Sequence, residues 1–271
     1  MTLFRPGHPS DFTVADARQF LGNFLIEFAE IPFTAQERRQ LLDQVYGRLV
    51  CKPTRRFFLY HFAPLVHSAV HTLFEGRAHP VIVELGCASG TTSILFALLG
   101  ARVIGLDFDP VMVSVCRRRL MCYERLFGPL PLEFRQADTL DFDYSSLGPI
   151  DGIYSLFALN LMQPTERLLA QLAPALGTGT RFVVSDGNQQ NPYNRIFRPR
   201  QALRPKELET LLARHGLRAH REFHCTVPPL LARFGRLFDL GVGLETVVRC
   251  LGLSPWLSVS YTLKAQQGAV R

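Results

Sequence analysis

Lysine is nearly missing from this 271-residue sequence: of 30 cationic side chains, 3 are Lys and 27 are Arg. The net charge of +7 is therefore an arginine charge, a bias that follows genome composition more than choice of ligand. Its one dense cluster, Arg195, Arg198, Arg200, Arg204 and Lys206, suits either a clamp for a phosphate or carboxylate or a solvated basic surface. Aromatic and basic residues do not alternate there as a single-strand nucleic-acid platform requires, so nucleic acid is not an expected partner. No apolar run reaches the roughly 18 to 20 uncharged residues of a membrane-spanning helix. Met1 to Phe12 carries Arg5, His8 and Asp11 and lacks the apolar core of a signal peptide; a cytoplasmic location is expected. The six cysteines include no Cys-x-x-Cys pair, which argues against a zinc cage and a disulfide framework. There is no low-complexity linker, and the length suits one large domain plus an appendage.

What is present concentrates between Val81 and Asp107. Val81 to Leu85 is a short, apolar, partly β-branched run that suits a strand buried on both faces. Gly86 and Gly90 then permit a sharp turn and close approach of a ligand. Thr91 to Leu99 reads as a helix whose free amino-terminal N–H groups face that turn, and Gly100 is its stop. A second apolar run, Arg102 to Leu106, ends in Asp107, 21 residues after Gly86. A carboxylate there can accept both hydroxyls of a ribose. Dinucleotide dehydrogenases share this context, but their Gly-x-Gly-x-x-Gly spacing fails: the second and fifth positions after Gly86 are Ala88 and Thr91.

Glu84-x-Gly86-x-x-x-Gly90 followed by Asp107 resembles the first two motifs of class I S-adenosylmethionine-dependent methyltransferases, over roughly residues 79 to 190. The resemblance implies that Gly86 and Gly90 wrap the methionine end of the cofactor and that Asp107 holds the ribose, with Glu84, Cys87 and Ala88 completing the turn. Ala88 departs from the family's frequent third glycine. Cys87 is read as a small packing residue. Phe134 to Leu140 resembles the third motif, which makes Asp138 the partner of the adenine amino group and Thr139 its neighbour. Phe108 is placed to stack on the adenine or to pack in the core. Ile150 to Ser155 resembles the fourth strand, with Leu156 to Met162 beside the sulfonium, and Arg181 to Asn188 the fifth. The implied fold is a seven-stranded, mostly parallel α/β Rossmann-like sheet of order 3-2-1-4-5-7-6. A helical cap (residues 1–78) precedes a cofactor-binding domain (79–271). Asn191-Pro192-Tyr193 is similar to part of the Asn-Pro-Pro-Tyr signature of amino-methylating enzymes, but it lacks a proline and follows the wrong strand; it is read as a turn.

In the cap, Thr34-Ala35-Gln36-Glu37 forms a capping box before a helix over Arg38 to Val50, and Arg55 to Phe74 forms a second apolar helix. Phe57, Phe58 and Tyr60 are candidates to approach a sulfonium. His61, His67 and His71 have no acidic partner in their segment apart from Glu75, and no metal is expected. Arg204-Pro205-Lys206-Glu207 opens a helix to Arg214. Leu217 to Phe223 and Trp256 to Leu263 are the last two strands, with a helical insertion over 225–254 between them. There Leu230, Leu231, Phe234, Leu237, Phe238, Leu244, Val247, Val248 and Leu251 recur at helical spacing while Arg233, Arg236, Glu245 and Arg249 fall largely off that stripe. Gly241 and Gly243 are expected to bend it into two helices. The stripe could line a pocket for a hydrophobic substrate, pack against a second subunit as in a homodimer, or touch a membrane surface, in that order of weight.

A sulfonium methyl is already activated, so the chain need only align a nucleophile and exclude water. Asn160, Asp186, Tyr60 and His61 are the catalytic candidates. The 21 phenylalanines suit a small, largely hydrophobic acceptor, of natural-product, isoprenoid or lipid-like type, methylated on oxygen or carbon with release of S-adenosylhomocysteine. The alternatives are a binding or assembly protein on the same fold and a cofactor-assisted cyclase.

Overall fold

The computed structural model describes residues 2–44, 46–197, 204–229, 231 and 234–268. Four helices come first: α1 (Val14–Glu30), α2 (Ala35–Asp43), α3 (Gly47–Val50) and α4 (Lys52–Phe74). Alternating strands and helices follow: β1 (Val81–Leu85), α5 (Thr91–Leu98), β2 (Arg102–Asp107), α6 (Pro110–Phe127), β3 (Leu132–Gln136), β4 (Ile150–Leu156), α7 (Thr165–Leu172), β5 (Leu176–Gly187), α8 (Pro192–Phe197) and α9 (Pro205–Arg214). The chain ends with β6 (Leu217–His224), α10 (Gly235–Cys250), α11 (Ser254–Leu257) and β7 (Ser260–Gln267).

The sheet order is β3-β2-β1-β4-β5-β7-β6, with β7 antiparallel to both neighbours and the other pairs parallel. β1 is the centre because its apolar run is covered on both faces: Val83 pairs with Ile104 on one side and Ile153 on the other. One core, with Phe58, Phe62, Val70, Ile94, Phe96 and Val113, lies between the sheet and α1, α4, α5 and α6. The second, with Val83, Ile104, Leu168, Leu212 and Leu263, lies under α7 and α9. Each such buried side chain contributes about 2 kcal/mol of transfer free energy. Strand order reverses between β1 and β4, which opens a crevice beyond their carboxyl ends.

The first helices are fastened to α6 by polar groups as well as by packing. Arg119 of α6 forms a wholly buried ion pair with Glu27 of α1. The same guanidinium donates to the Ser89 carbonyl and to Thr91 Oγ1, and Tyr123 donates to Glu27 at 2.6 Å. α2 carries the capping box expected at Thr34 and Glu37, and Glu37 also accepts from Ser114 and Arg118 of α6. An equivalent box at Thr13 and Asp16 starts α1.

Three boundaries differ from expectation. The helix expected over Arg38 to Val50 breaks after Asp43, because at Gly47 the chain folds back so tightly that a Cβ would collide with the Leu42 carbonyl. The insertion forms one helix through Gly241 and Gly243: Phe238 and Val242 on its inner side pack with Phe57 and Tyr60, and this packing outweighs the helix cost of two glycines, about 1 kcal/mol each. The last strand starts at Ser260, not Trp256, because Pro255 opens a helical turn. Arg198, Arg200, Leu230 and Arg233 of the sequence reading lie outside the described residues. Among the described residues no helix is long and apolar enough to cross a membrane.

Candidate functional site

A cavity of about 360 Å³ opens where the strand order reverses, beyond the ends of β1, β2 and β4. Its wall includes Glu84, Gly86, Cys87, Ala88, Asp107, Phe108, Asp138, Thr139 and Leu156. Gly90 lies at the start of α5 against Phe134 and Cys116, off the wall.

The turn after β1 is held from several directions. Gly86 has φ +69°, and a Cβ there would sit 2.6 Å from the Ala158 Cβ and 2.9 Å from the Met162 Cε. Glycine at 86 thus lets the segment after β4 form the opposite wall. Ala88, at φ +46°, is a non-glycine residue in the left-handed region, at a cost on the order of 1 kcal/mol. Its N–H donates to Asp107 Oδ2 at 2.7 Å, and its carbonyl accepts from the Cys116 thiol at 3.0 Å. A side-chain hydrogen bond between Cys116 and Cys87, and then burial, hold the Cys87 thiol protonated well above its ordinary range, which removes it as a nucleophile.

Asp107 closes the same ring. It is 7% exposed, and its other oxygen accepts from the Asp109 N–H at 3.0 Å. Burial raises its carboxyl above the usual range, offset in part by the Asp109 and Ala88 amides. Each oxygen keeps lone-pair capacity toward the cavity, which suits a vicinal diol. Beside it Phe108 is 74% exposed, a ring without protein cover at the mouth, suited to stacking on a heteroaromatic base. Asp138 follows one residue after Ala137, whose N–H donates to the Asp107 carbonyl at 2.9 Å. The carboxylate acceptors, the uncovered ring and the glycine cradle together fit a nucleoside with an extended polar tail.

Glu84 plays a different part from Asp107. Its carboxyl is buried and accepts from the hydroxyls of Thr92 and Ser93, so it ties β1 to the first turn of α5. Burial outweighs those hydrogen bonds and pushes its pKa up to about 7.

The other end of the cavity is aromatic. Phe157 stands in the left-handed region at φ +54° with its N–H donating to the Ser185 carbonyl at 2.8 Å. Its ring lies 5.2 Å from Phe62 and 5.7 Å from His61. Tyr46, 6.4 Å from Phe62, reaches the wall with Gln44 from the break between α2 and α3. Burial, then the Glu84 charge, raises the Tyr46 hydroxyl well above its usual range. Gln44 and Tyr46 escaped the sequence reading; Tyr46-Gly47 was the available signal, an aromatic residue at a forced reversal.

None of the four residues singled out for catalysis is among the described residues on this wall. The Tyr60 hydroxyl turns the other way and donates to Glu245 of α10. His61 Nε2 shares a 2.6 Å hydrogen bond with Ser260 Oγ behind Phe157. Asp186 is 0% exposed and accepts from Gly187 N at 2.6 Å and Asn160 N at 3.2 Å; burial pushes its pKa up to about 7. Asn160 contributes that N–H from the turn Leu159–Leu161, which roofs the carboxylate. Farther along, Asn188 donates to the Pro255 and Ser258 carbonyls, and Asn191 caps α8 by accepting from the Tyr193 N–H. His71 Nε2 pairs with the Phe12 carbonyl at 2.9 Å, with His67 beside it.

Comparison with known proteins gives this geometry a family context. Residues 82–179 match the model of a methyltransferase domain. The chain is 28% identical over 147 residues to the O-methyltransferase cnsE of Penicillium expansum, covering 51% of each chain. It is 30% identical over 105 residues to a demethylmenaquinone methyltransferase of Clavibacter sepedonicus, covering 39% of this chain and 40% of that one. These matches span about half, or less, of the relatives' length. Among solved structures, the magnesium protoporphyrin IX methyltransferase of Synechocystis PCC 6803 with bound S-adenosylhomocysteine shares the fold, with a TM-score of 0.54 over 94% of this chain and 99% of that one at 15% identity.

Proposed function

We propose that this chain, which carries a methyltransferase domain of the class I S-adenosylmethionine-dependent type, methylates a small, largely hydrophobic acceptor on oxygen or carbon. The observation that carries this reading is the polarity of the cavity beyond β1, β2 and β4: Asp107, Asp138 and Phe108 at one end, Phe157, Leu156 and Tyr46 at the other. S-adenosylmethionine supplies an activated methyl group on a sulfonium centre. The Asp107 carboxylate would hold the ribose hydroxyls, Asp138 the adenine amino group and Phe108 the adenine face. The Gly86 to Ala88 turn would accommodate the methionine portion. The aromatic end then excludes water from the methyl and favours cationic charge over its ring faces.

An acceptor bound against Phe157 and Tyr46 meets apolar surface, which favours a flat or isoprenoid-like molecule over a charged one. The named activities of the two relatives, an O-methyltransferase and a quinone-type methyltransferase, support a small-molecule acceptor. All four catalytic candidates lie off the cavity wall and take positioning roles, His61 by backing Phe157. A cytoplasmic location accords with six free thiols, and nucleic acid and homodimer formation are not required by the reading.

The test is to incubate the chain with S-adenosylmethionine and a panel of apolar phenols, quinols and isoprenoid acids and to assay S-adenosylhomocysteine by mass spectrometry. Formation of one S-adenosylhomocysteine per methylated product is expected. Cofactor binding with no turnover on any acceptor would favour a binding protein, and product without S-adenosylhomocysteine a rearrangement; either would overturn methyl transfer.

A further inference from the structure

α10 was expected to turn its leucines toward a pocket, and it turns them to solvent. Leu237, Leu240, Leu244, Val247 and Leu251 are all exposed, and Trp256, 57% exposed, continues the face onto α11. The Asn191 side chain donates to the Leu257 carbonyl at 2.6 Å, which fastens α8 to α11 and adds exposed Ile196 and Phe197. Three elements thus share an apolar rim.

Charge distinguishes what would cover it. Between residues 188–197 and 235–260 the only acidic side chains are Asp239 and Glu245, and both are engaged by cationic or hydrogen-donating groups of the chain. Asp239 pairs with Arg56 of α4. Glu245 accepts from the Tyr60 hydroxyl, lies 3.6 Å from Arg249, and accepts from the Cys225 and Thr226 N–H groups. Arg195 and Arg236 are exposed and enter no ion pair among the described residues. A leucine face with an interfacial tryptophan, a basic fringe and a single outward carboxylate, Asp239, already paired with Arg56, is complementary to an anionic lipid surface.

We propose that α10, α11 and α8 form a peripheral docking face for an anionic bilayer. The inner side of α10 leads from that face toward the cavity. Phe238 lies 6.5 Å from Phe57, Phe57 lies 5.4 Å from His61, and His61 lies 5.7 Å from Phe157 on the cavity wall. This line of packed rings joins the docking face to the cavity wall; if the acceptor is apolar, as the preceding reading holds, the face would bring the site to the surface that holds it.

Trp256 is the only tryptophan in the chain, so its fluorescence reports this face alone. Vesicles of phosphatidylcholine with 30% phosphatidylglycerol (roughly the anionic content that binds basic peripheral helices) should blue-shift its emission and co-sediment the protein. The double variant Leu240→Glu with Leu244→Glu should partition about tenfold more weakly while binding S-adenosylmethionine as the parent does. That cofactor control separates failure of this proposal from failure of the methyltransferase reading. No shift and no sedimentation, equal partitioning of parent and variant, or equal binding to pure phosphatidylcholine would overturn it. So would a blue shift that grows with protein concentration without lipid, which would assign the face to a second copy of the chain.

Discussion

The ends of β2 and β5 carry two aspartates of the same chemistry, and the fold treats them in opposite ways. Asp107 and Asp186 both terminate parallel strands at the same edge of the sheet, both accept two backbone N–H groups, and burial raises the pKa of both. Asp107 borders a cavity; Asp186 is sealed beneath the Leu159–Leu161 turn and opposite Tyr261 of β7. The difference is topological. β2 lies next to the strand-order reversal, where helices diverge and leave room, whereas β5 is flanked by the antiparallel β7 and by α11, whose backbone the Asn188 side chain binds. A carboxylate at the ligand end of a sheet is therefore a site residue only where the connections part.

The largest expected effect concerns the polar fastening on the β2 side. Replacing Arg119 with Met leaves Glu27 buried without its cation and should lower unfolding stability by about 3–5 kcal/mol, measured by urea denaturation. A loss below ~1 kcal/mol would mean that the first helices do not depend on this pair.

The next is pH dependence on the β5 side. In the unfolded chain Asp186 and Glu84 ionise near the ordinary carboxylate range; in the folded chain both do so near 7. Their folded forms hold protons that the unfolded forms release. Stability from this source is complete below about pH 4 and is lost as pH rises through 7. Asp186→Asn should flatten the decline in unfolding free energy between pH 5 and pH 7.5, by an amount on the order of 1–3 kcal/mol, and leave cofactor affinity within about threefold. A parent whose stability rises over that interval would reverse the assignment of the two burials.

Ala88→Gly should relieve the left-handed backbone at the turn and raise stability by about 0.5–1 kcal/mol; a fall in melting temperature would show that the Ala88 methyl packs to more effect than its strain costs. Smallest of all, Arg56→Ala removes an exposed pair with Asp239 and should change stability by less than about 1 kcal/mol. A larger loss would mean that the Arg56 guanidinium, through Asp239 or over the Phe238 ring, holds α10 more firmly than an exposed pair does.

What could be read from sequence divides along the same line. The β1 to β2 run was legible because each requirement of the turn, a two-faced apolar strand, two glycines and a terminal carboxylate, is local in the chain. Tyr46 and Gln44 were not, since they reach the cavity through a helix break that depends on how Gly47 folds back on Leu42. The α10 stripe was legible as a period but not as a direction: a periodic apolar face says that a helix is two-sided, and only the packing of Phe238 and Val242 on Phe57 and Tyr60 shows which side is turned inward. Asp186 and Tyr60 share that fate, each being a polar group whose role depends on the element lying over it.

The most direct measurement is calorimetric titration of S-adenosylmethionine into the parent, Asp107→Ala and Asp186→Asn. The expected result is a single site, weakened about 10- to 100-fold by loss of two charge-assisted hydrogen bonds in Asp107→Ala and nearly unchanged in Asp186→Asn. Absence of binding to the parent, or equal losses in the two variants, would contradict the assignment of the cavity beside β2 as the cofactor site.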